Sequence, residues 1–217
     1  MSVIHKIIKD MRPYMKENGF KLTKKCFFRI ENDLAYCVEL EMPSNLIYIY
    51  CYFVPLYVPA EYRYYTYGMR LKDVLSTLNI GVANIEQWCN ELKEHLKRFV
   101  FPTFERIKSS DDFLNAIEHG LFVNSDHQVP RIDAYRLCLF TAFYKQDVTT
   151  VEKVCDNYKD ILIATTYLTD EVKKDRLEEI EKIRRDIAKN SQANKKMIAD
   201  IINKTKRSCF GLQKEDG

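Results

Sequence analysis

The sequence predicts an α+β fold: an N-terminal helix, a three- to four-stranded antiparallel meander covered by helices, and then an all-helical C-terminal part. The meander is predicted because apolar residues recur with a period of two only between Lys25 and Val54. Three runs in this stretch, KKCFFRI, LAYCVELE and NLIYIYCYFV, are separated by the turn-forming segments Glu31-Asn32-Asp33 and Pro43-Ser44. Helices are predicted elsewhere because apolar residues recur there at spacings of three and four.

The first helix carries one apolar stripe, made of Ile4, Ile7, Ile8, Met11 and Met15. Gly19 stands where a left-handed C-terminal cap is expected, and Phe20 follows it. Pro13 has no N–H to bond one turn back, so the sequence predicts either a kink near Lys9 to Arg12 or two short helices. The stripe is expected to pack against the sheet.

The strands of the meander differ in their predicted burial. In the second run one face carries Leu34, Tyr36, Val38 and Leu40, and the other carries Ala35, Cys37, Glu39 and Glu41. This alternation is typical of a half-buried strand with its acids exposed. The third run has apolar residues on one face and a row of tyrosines on the other, so neither face is plainly polar. That pattern favours a central strand, or a strand whose tyrosine face is partly exposed and covered by a partner.

A tyrosine-dense segment, PLYVPAEYRYYTYGMRL, follows the meander. Pro55 and Pro59 predict a loop over Leu56 to Ala60, and Glu61 to Tyr67 is a candidate fourth strand at the sheet edge. Tyrosine joins a large apolar body to a polar tip, so the segment fits either core packing or a recognition surface. The candidate binding residues are Tyr48, Tyr50, Tyr52, Arg63, Tyr64 and Arg70.

The segment after residue 83 is predicted to be helical. Asn84 is a candidate N-cap, and Pro102 is expected to bend or divide the helix that follows it. Ser110-Asp111-Asp112 predicts the cap of a short helix ending at Gly120. The expected core of sheet and helices consists of Ile8, Met11, Phe27, Val38, Ile49, Phe53, Trp88, Leu92 and Leu96.

The C-terminal half is predicted to contain further helices. Val129 to Tyr158 has the pattern of a helical hairpin with its turn at Gln146-Asp147, and residues 160–168 are also assigned to helix. Asp170 to Arg207 is highly charged and carries a narrow isoleucine stripe, with a break expected at Asn190 to Asn194. Such a stripe is expected to dock either on the same chain or on a second copy in a homodimer.

These segments predict three regions: an α+β domain over residues 1–120, a helical region over 121–207 and a disordered tail over 208–217. The composition, 46% hydrophobic and 30% charged, is that of a globular protein. No apolar run approaches the roughly 20 residues that span a bilayer, and the amphipathic start lacks the apolar core of a signal peptide. The sequence therefore predicts a cytoplasmic protein without a membrane partner.

No chemical motif predicts a catalytic, cofactor or metal site. The seven cysteines include no Cys-x-x-Cys pair, and the four histidines have no metal-ligand spacing. There is no glycine-rich phosphate loop and no nucleophile elbow. The cysteines are therefore interpreted as buried thiols, and an enzyme is the least favoured of the function classes.

The first 120 residues resemble a known family. MRPYMKENGFKLTKKCFFRI, a proline-containing helix that ends in Gly-Phe and leads into an aromatic strand, resembles the opening of the bacterial family called domain of unknown function 4304. The later FPTFERIKSSDDFL is similar to the end of that family's domain. The family has no assigned activity, so the resemblance supplies no catalytic residues, and the shared motifs are structural.

Charge separates the two function classes that remain. Residues 171–217 carry 13 Lys or Arg against 9 Asp or Glu, which is +4, so the +3 of the whole chain leaves −1 for the first 170 residues. The sequence therefore predicts a non-catalytic cytoplasmic binding or interaction protein of unknown partner, with a protein partner or a homodimer through the C-terminal helix as the candidates. The alternative is a nucleic-acid-associated protein that uses the basic C-terminal helix.

Overall fold

The structure, a computed structural model, describes residues 2–42, 46–71, 84–119, 130–189 and 191–212. The chain forms two compact units, which we call the sheet unit (Met1–Pro55 and Arg63–Gln128) and the helical unit (Leu56–Tyr62 and Val129–Gly217). The predicted α+β class is confirmed. The division of the chain differs from the predicted one, because the short segment Leu56–Tyr62 belongs with the C-terminal helices. Pro43, Ser44 and Gly120 lie outside the described residues.

The sheet unit begins with one helix followed by a five-stranded antiparallel meander in sequence order. Its elements are α1 (Val3–Glu17), β1 (Lys21–Thr23), β2 (Cys26–Glu31), β3 (Leu34–Glu41), β4 (Tyr48–Pro55) and β5 (Gly68–Arg70). The three predicted strands correspond to β2, β3 and β4.

The two edge strands differ from the prediction. β1 was not predicted, and it pairs with β2 through a turn in which Lys24 adopts a positive φ of 53°, a conformation that the lysine pair does not signal. The expected fourth strand over Glu61 to Tyr67 is wrong. Tyr65–Tyr67 form a 3₁₀ turn and the edge strand starts only at Gly68.

α1 is a single helix that contains Pro13, so the prediction of two short helices is wrong. Its C-terminus is a Schellman motif. Gly19 has a φ of +82°, its N–H bonds to the Lys16 carbonyl at 3.0 Å, and the Phe20 N–H bonds to the Met15 carbonyl at 2.9 Å. These two bonds satisfy carbonyls of the last turn, and Phe20 then enters the core.

The rest of the sheet unit is helical. Its elements are α2 (Ile85–His95), a π turn (Leu96–Val100), α3 (Phe101–Arg106) and α4 (Ser110–His119). Asn84 caps α2 as predicted, accepting from the N–H groups of Glu86 and Gln87. Pro102 does not divide the helical segment, which runs without a gap from Ile85 to Arg106; a π turn precedes Pro102 instead. The α4 cap lies one residue earlier than predicted, since Ser109 and Asp112 bond reciprocally.

The helices cover one face of the sheet, which we call the helix-covered face. Tyr36, Phe53 and Phe104 meet there with ring centroids 5.2 to 5.6 Å apart, and the Tyr36 hydroxyl donates to the Ile107 carbonyl at 2.9 Å. All nine residues of the expected core are buried. The assignment of the apolar faces of the strands is therefore confirmed.

Replacing Ile49 by alanine is expected to destabilise the sheet unit by about 2–5 kcal/mol, because Ile49 is 1% exposed on β4 and its removal leaves a cavity. Trp88, the sole tryptophan, is buried on α2, so its fluorescence during urea unfolding reports on this unit alone. Phe99→Ala, at a side chain 47% exposed in the same unit, is the control and is expected to shift the transition far less. A loss below about half a kcal/mol for Ile49→Ala would contradict the core assignment.

The helical unit consists of four helices and the segment Leu56–Tyr62 within the described residues. The helices are α5 (Arg131–Tyr144), α6 (Val148–Ala164), α7 (Asp170–Ile187) and α8 (Ser191–Phe210). The predicted hairpin corresponds to α5 and α6, with Gln146 in the turn and Asp147 capping α6. Residues 160–168 are helical only as far as Ala164. None of the described helices is both long and apolar enough to cross a membrane.

The isoleucine stripes of α7 and α8 dock within the same chain. Ile180, Ile183, Ile187 and Ile198 are buried, whereas Ile201 and Ile202 are partly buried. Polar contacts accompany this packing: the Thr205 hydroxyl donates to the Val58 carbonyl at 3.3 Å, and the Asn194 amide donates to Gln146 at 3.2 Å. α8 continues to a buried Phe210, so the disordered tail does not begin at residue 208. Residues 213–217 lie outside the described residues.

Candidate functional site

The candidate site lies on the other face of the sheet, which we call the tyrosine face. Antiparallel pairing places Glu39 opposite Tyr50, Glu41 opposite Tyr48, and Cys37 opposite Tyr52. Partners in such a pair project to the same face, so two carboxylates stand among three tyrosines. The expected half-burial of β3 is wrong: Leu34 to Leu40 are all buried, and Glu39 is only 8% exposed.

A polar cluster of Glu39, Tyr52 and Arg63 occupies the centre of this face. Arg63 donates to both carboxylate oxygens of Glu39, from Nε to Oε2 at 3.0 Å and from Nη2 to Oε1 at 2.8 Å. The Tyr52 hydroxyl donates to the same carboxylate at Oε2. Because the pair is bidentate and its side chains are only 14% and 10% exposed, the carboxylate is held in one orientation.

Burial and hydrogen bonding shift the pKa values of the cluster. Desolvation raises the pKa of Tyr52, with the neighbouring Cys37, Cys26 and Glu39 adding to the effect. The hydrogen bonds to Glu39 raise the pKa of Arg63 further above its ordinary value. Tyr52 is therefore a neutral donor and Arg63 a fixed cation at physiological pH.

Two thiols border the polar cluster. Cys26 lies opposite Glu39 and its Sγ is 3.7 Å from the Tyr52 hydroxyl, while Cys37 lies opposite Tyr52. Burial raises the pKa of Cys37 well above the ordinary thiol range. A protonated, buried thiol is a poor nucleophile, so Cys37 acts as a small packing residue, and Cys26 is buried beside it. Six of the seven cysteines are buried, and Cys138 is partly exposed.

An outer layer of aromatic rings adjoins the cluster. The Tyr65 ring stacks on Tyr50 with centroids 4.0 Å apart and planes 6° apart, and its hydroxyl donates to Glu41 at 2.6 Å. The Arg70 guanidinium lies 4.6 Å from the centroid of Tyr48. We call Tyr48, Tyr50, Tyr65 and Arg70 the tyrosine surface. Each member is partly exposed and already held by a neighbour.

Gly68 brings β5 close enough to form this layer. It pairs with Tyr52, and a Cβ at this position would lie 2.2 Å from the Tyr52 Cβ and 2.4 Å from the Cys51 carbonyl oxygen. Only glycine allows the strands to approach so closely. The approach places Arg70 opposite Tyr50, beside the Tyr48 ring.

The six candidate binding residues predicted from the sequence separate into two groups. Tyr52 and Arg63 belong to the polar cluster, with Tyr52 fully buried. Tyr48, Tyr50 and Arg70 belong to the tyrosine surface, and Tyr64, 46% exposed, precedes Tyr65 in the chain. Sequence reasoning missed the roles of Glu39, Glu41 and Tyr65. The available signal for the two acids was the alternation of β3, which places Glu39 and Glu41 on the same strand face as Cys37.

The arrangement favours binding over acid–base chemistry. Glu39 accepts three hydrogen bonds from its own chain, so its oxygens are already engaged. In the part of the chain that the structure describes, no three His, Cys, Asp or Glu side chains come together as a metal-binding group. Comparison with protein-family models, curated proteins and solved structures gave no match. The resemblance to domain of unknown function 4304 therefore stays a prediction.

Proposed function

We propose that this is a non-catalytic interaction protein that binds a protein partner through the tyrosine surface of its sheet unit. The observation that carries the proposal is that partly exposed rings adjoin a polar cluster whose members hydrogen-bond to one another. Tyrosine and arginine are the residue types most enriched where protein interfaces gain their binding energy. They form the outward layer here.

Preorganisation supports a recognition role for this surface. Tyr65 is fixed by its stack on Tyr50 and its bond to Glu41, and Arg70 is held beside Tyr48. Side chains that are already ordered lose little conformational entropy when a partner binds. The hydroxyl tips and the guanidinium supply hydrogen bonds at the rim, while the ring faces supply apolar area.

The cysteines support a cytoplasmic location for this function. Six of the seven are buried, which fits thiols that pack as small apolar side chains in a reducing compartment. The resemblance of residues 1–120 to a bacterial family supports a bacterial origin. We therefore propose a cytoplasmic protein of bacterial origin.

Photo-crosslinking tests the proposed surface. A photoreactive phenylalanine derivative in place of Tyr64, 46% exposed and next to the tyrosine surface, is expected to give one discrete protein adduct in host-cell extract. The same replacement at Tyr167, 69% exposed in the helical unit, is the control and is expected not to give that adduct. Adding Tyr48→Ala and Arg70→Ala to the Tyr64 variant should abolish the adduct, because both truncations remove contact area.

The proposal fails if the Tyr64 variant gives no adduct, or if the adduct survives the double truncation while Trp88 fluorescence shows a folded sheet unit. An identical adduct at Tyr167 would also contradict it, because capture would then not depend on the tyrosine surface.

A further inference from the structure

The outward side of α8 concentrates positive charge. This helix carries one acidic residue, Asp200, and five basic ones: Lys195, Lys196, Lys204, Lys206 and Arg207. Its net charge of +4 exceeds the +3 of the whole chain, so all other residues together sum to −1. The excess positive charge of the protein therefore lies on one helix.

The docking of α8 sets the direction of these cations. Asn194, Ile198, Thr205 and Cys209 are buried, which fixes the inner side of the helix. At 100° per residue, Lys196 and Arg207 lie within about 20° of each other on the opposite side, about 16 Å apart along the axis. Lys195 and Lys204 are also exposed. Lys196, Lys204 and Arg207 thus form a positive band along the solvent side of the helix, which also carries the exposed Asp200.

The preceding helix α7 provides a contrast in the same unit. Two of its arginines are engaged locally: Arg176 pairs with Glu179 at 3.4 Å, and Arg184 pairs with Asp156 of α6. Across the described ranges of the chain, no carboxylate forms an ion pair with any of the five cations of α8. An external anion therefore meets this band without having to displace an internal partner.

We propose that the outward side of α8 binds the phosphate backbone of nucleic acid. This inference goes beyond the proposed protein-binding function, because it concerns another unit and another surface. A row of cations about 16 Å long matches a polyanion that carries one charge per about 1.7 Å of duplex axis. Lys196, Lys204 and Arg207 are the residues placed to contact successive phosphates.

The structure favours nucleic acid over an anionic membrane. A helix that lies on a membrane buries an apolar side in the lipid. The apolar side of α8 is already buried in its own chain, and the outward residues between the cations, Ala199, Asp200 and Asn203, offer no large apolar group. Binding is therefore expected to be electrostatic and independent of base sequence.

Fluorescence anisotropy of the full-length chain with a labelled duplex tests the proposal. Three phosphate contacts predict a slope of log K against log salt of about −3 between roughly 50 and 200 mM salt. The double variant Lys196→Glu/Arg207→Glu is expected to bind at least about tenfold more weakly, with the slope reduced by about 2. A labelled single strand of equal length is expected to show a shallower slope.

Lys153→Glu/Lys174→Glu is the matched control, because it makes the same net charge change at exposed lysines of α6 and α7. It is expected to retain duplex affinity within about twofold, and circular dichroism checks that both variants stay folded. Equal losses in the two variants would overturn the proposal, as would salt-independent binding or no binding by the unmodified chain. Co-sedimentation with phosphatidylserine vesicles in the absence of duplex binding would assign the band to membranes and would also overturn it.

Discussion

Replacing Arg63 by methionine is expected to lower the free energy of unfolding of the sheet unit by about 3 kcal/mol, because it leaves the Glu39 carboxylate buried without its cation. Methionine keeps most of the side-chain volume, so the loss reports mainly on charge and hydrogen bonding. Urea unfolding followed by Trp88 fluorescence measures the effect in the correct unit. Arg12→Met, at an exposed position of α1, is the matched control and is expected to change stability by less than about half a kcal/mol.

A double-mutant cycle separates the cost of an unpaired buried charge from the net stabilisation that the Glu39–Arg63 ion pair provides. Removing the charge as well, in Glu39→Gln/Arg63→Met, is expected to cost less than the sum of the two single changes. Additive costs, or a loss below about 1 kcal/mol for Arg63→Met alone, would show that the polar cluster does not hold the tyrosine face together.

Ending the chain before Asp170 is expected to unfold the helical unit. The truncation removes the apolar side chains that α7 and α8 bury, including Ile180, Ile183, Ile187, Ile198 and Phe210. At about 1.5–3 kcal/mol each, these five side chains contribute about as much as the whole stability of a typical domain. Circular dichroism at the helix band should therefore fall by more than the removed residues explain, while Trp88 fluorescence continues to report a folded sheet unit.

A chain ending at Leu212 is the control for this truncation, and it is expected to melt like the full-length protein. Size-exclusion chromatography tests the alternative that the sequence left open, in which the isoleucine stripe docks on a second copy of the chain. A truncation that converts a dimer into a folded monomer, or one that changes neither the melt nor the mass, would contradict docking of α7 and α8 within the chain.

The sequence predicted those elements whose bounds are set by residues close together in the chain. The period of two located β2 to β4, the Gly19 cap located the end of α1, and Asn84 located the start of α2. Each of these features is set by residues within a few positions of one another, so the sequence alone suffices. β1 was missed because its turn depends on a positive φ at Lys24, which lysine seldom adopts.

The candidate site was only half predictable, for a different reason. Alternation on β3 placed Glu39 on a polar, exposed face, and an unpaired glutamate would indeed avoid burial. Its burial depends on Arg63, 24 residues away, and on the Tyr52 hydroxyl of the neighbouring strand. No periodicity links these positions. The tyrosines and Arg63 were therefore predicted as candidate binding residues, whereas Glu39, which accepts hydrogen bonds from Tyr52 and Arg63, was not.

The segment Leu56–Tyr62 has a consequence for the order in which the protein is made. The residues that it contacts are synthesised much later. The Tyr57 hydroxyl accepts a hydrogen bond from Thr141 at 3.1 Å, and the Val58 carbonyl accepts one from Thr205, 147 residues further along the chain. At a synthesis rate of about 5–20 residues per second, Val58 is synthesised some 7–30 seconds before Thr205. During that interval the side chains of Leu56, Tyr57 and Val58, which are buried in the folded protein, lack their final neighbours. The helical unit can therefore close only after α8 has been released from the ribosome.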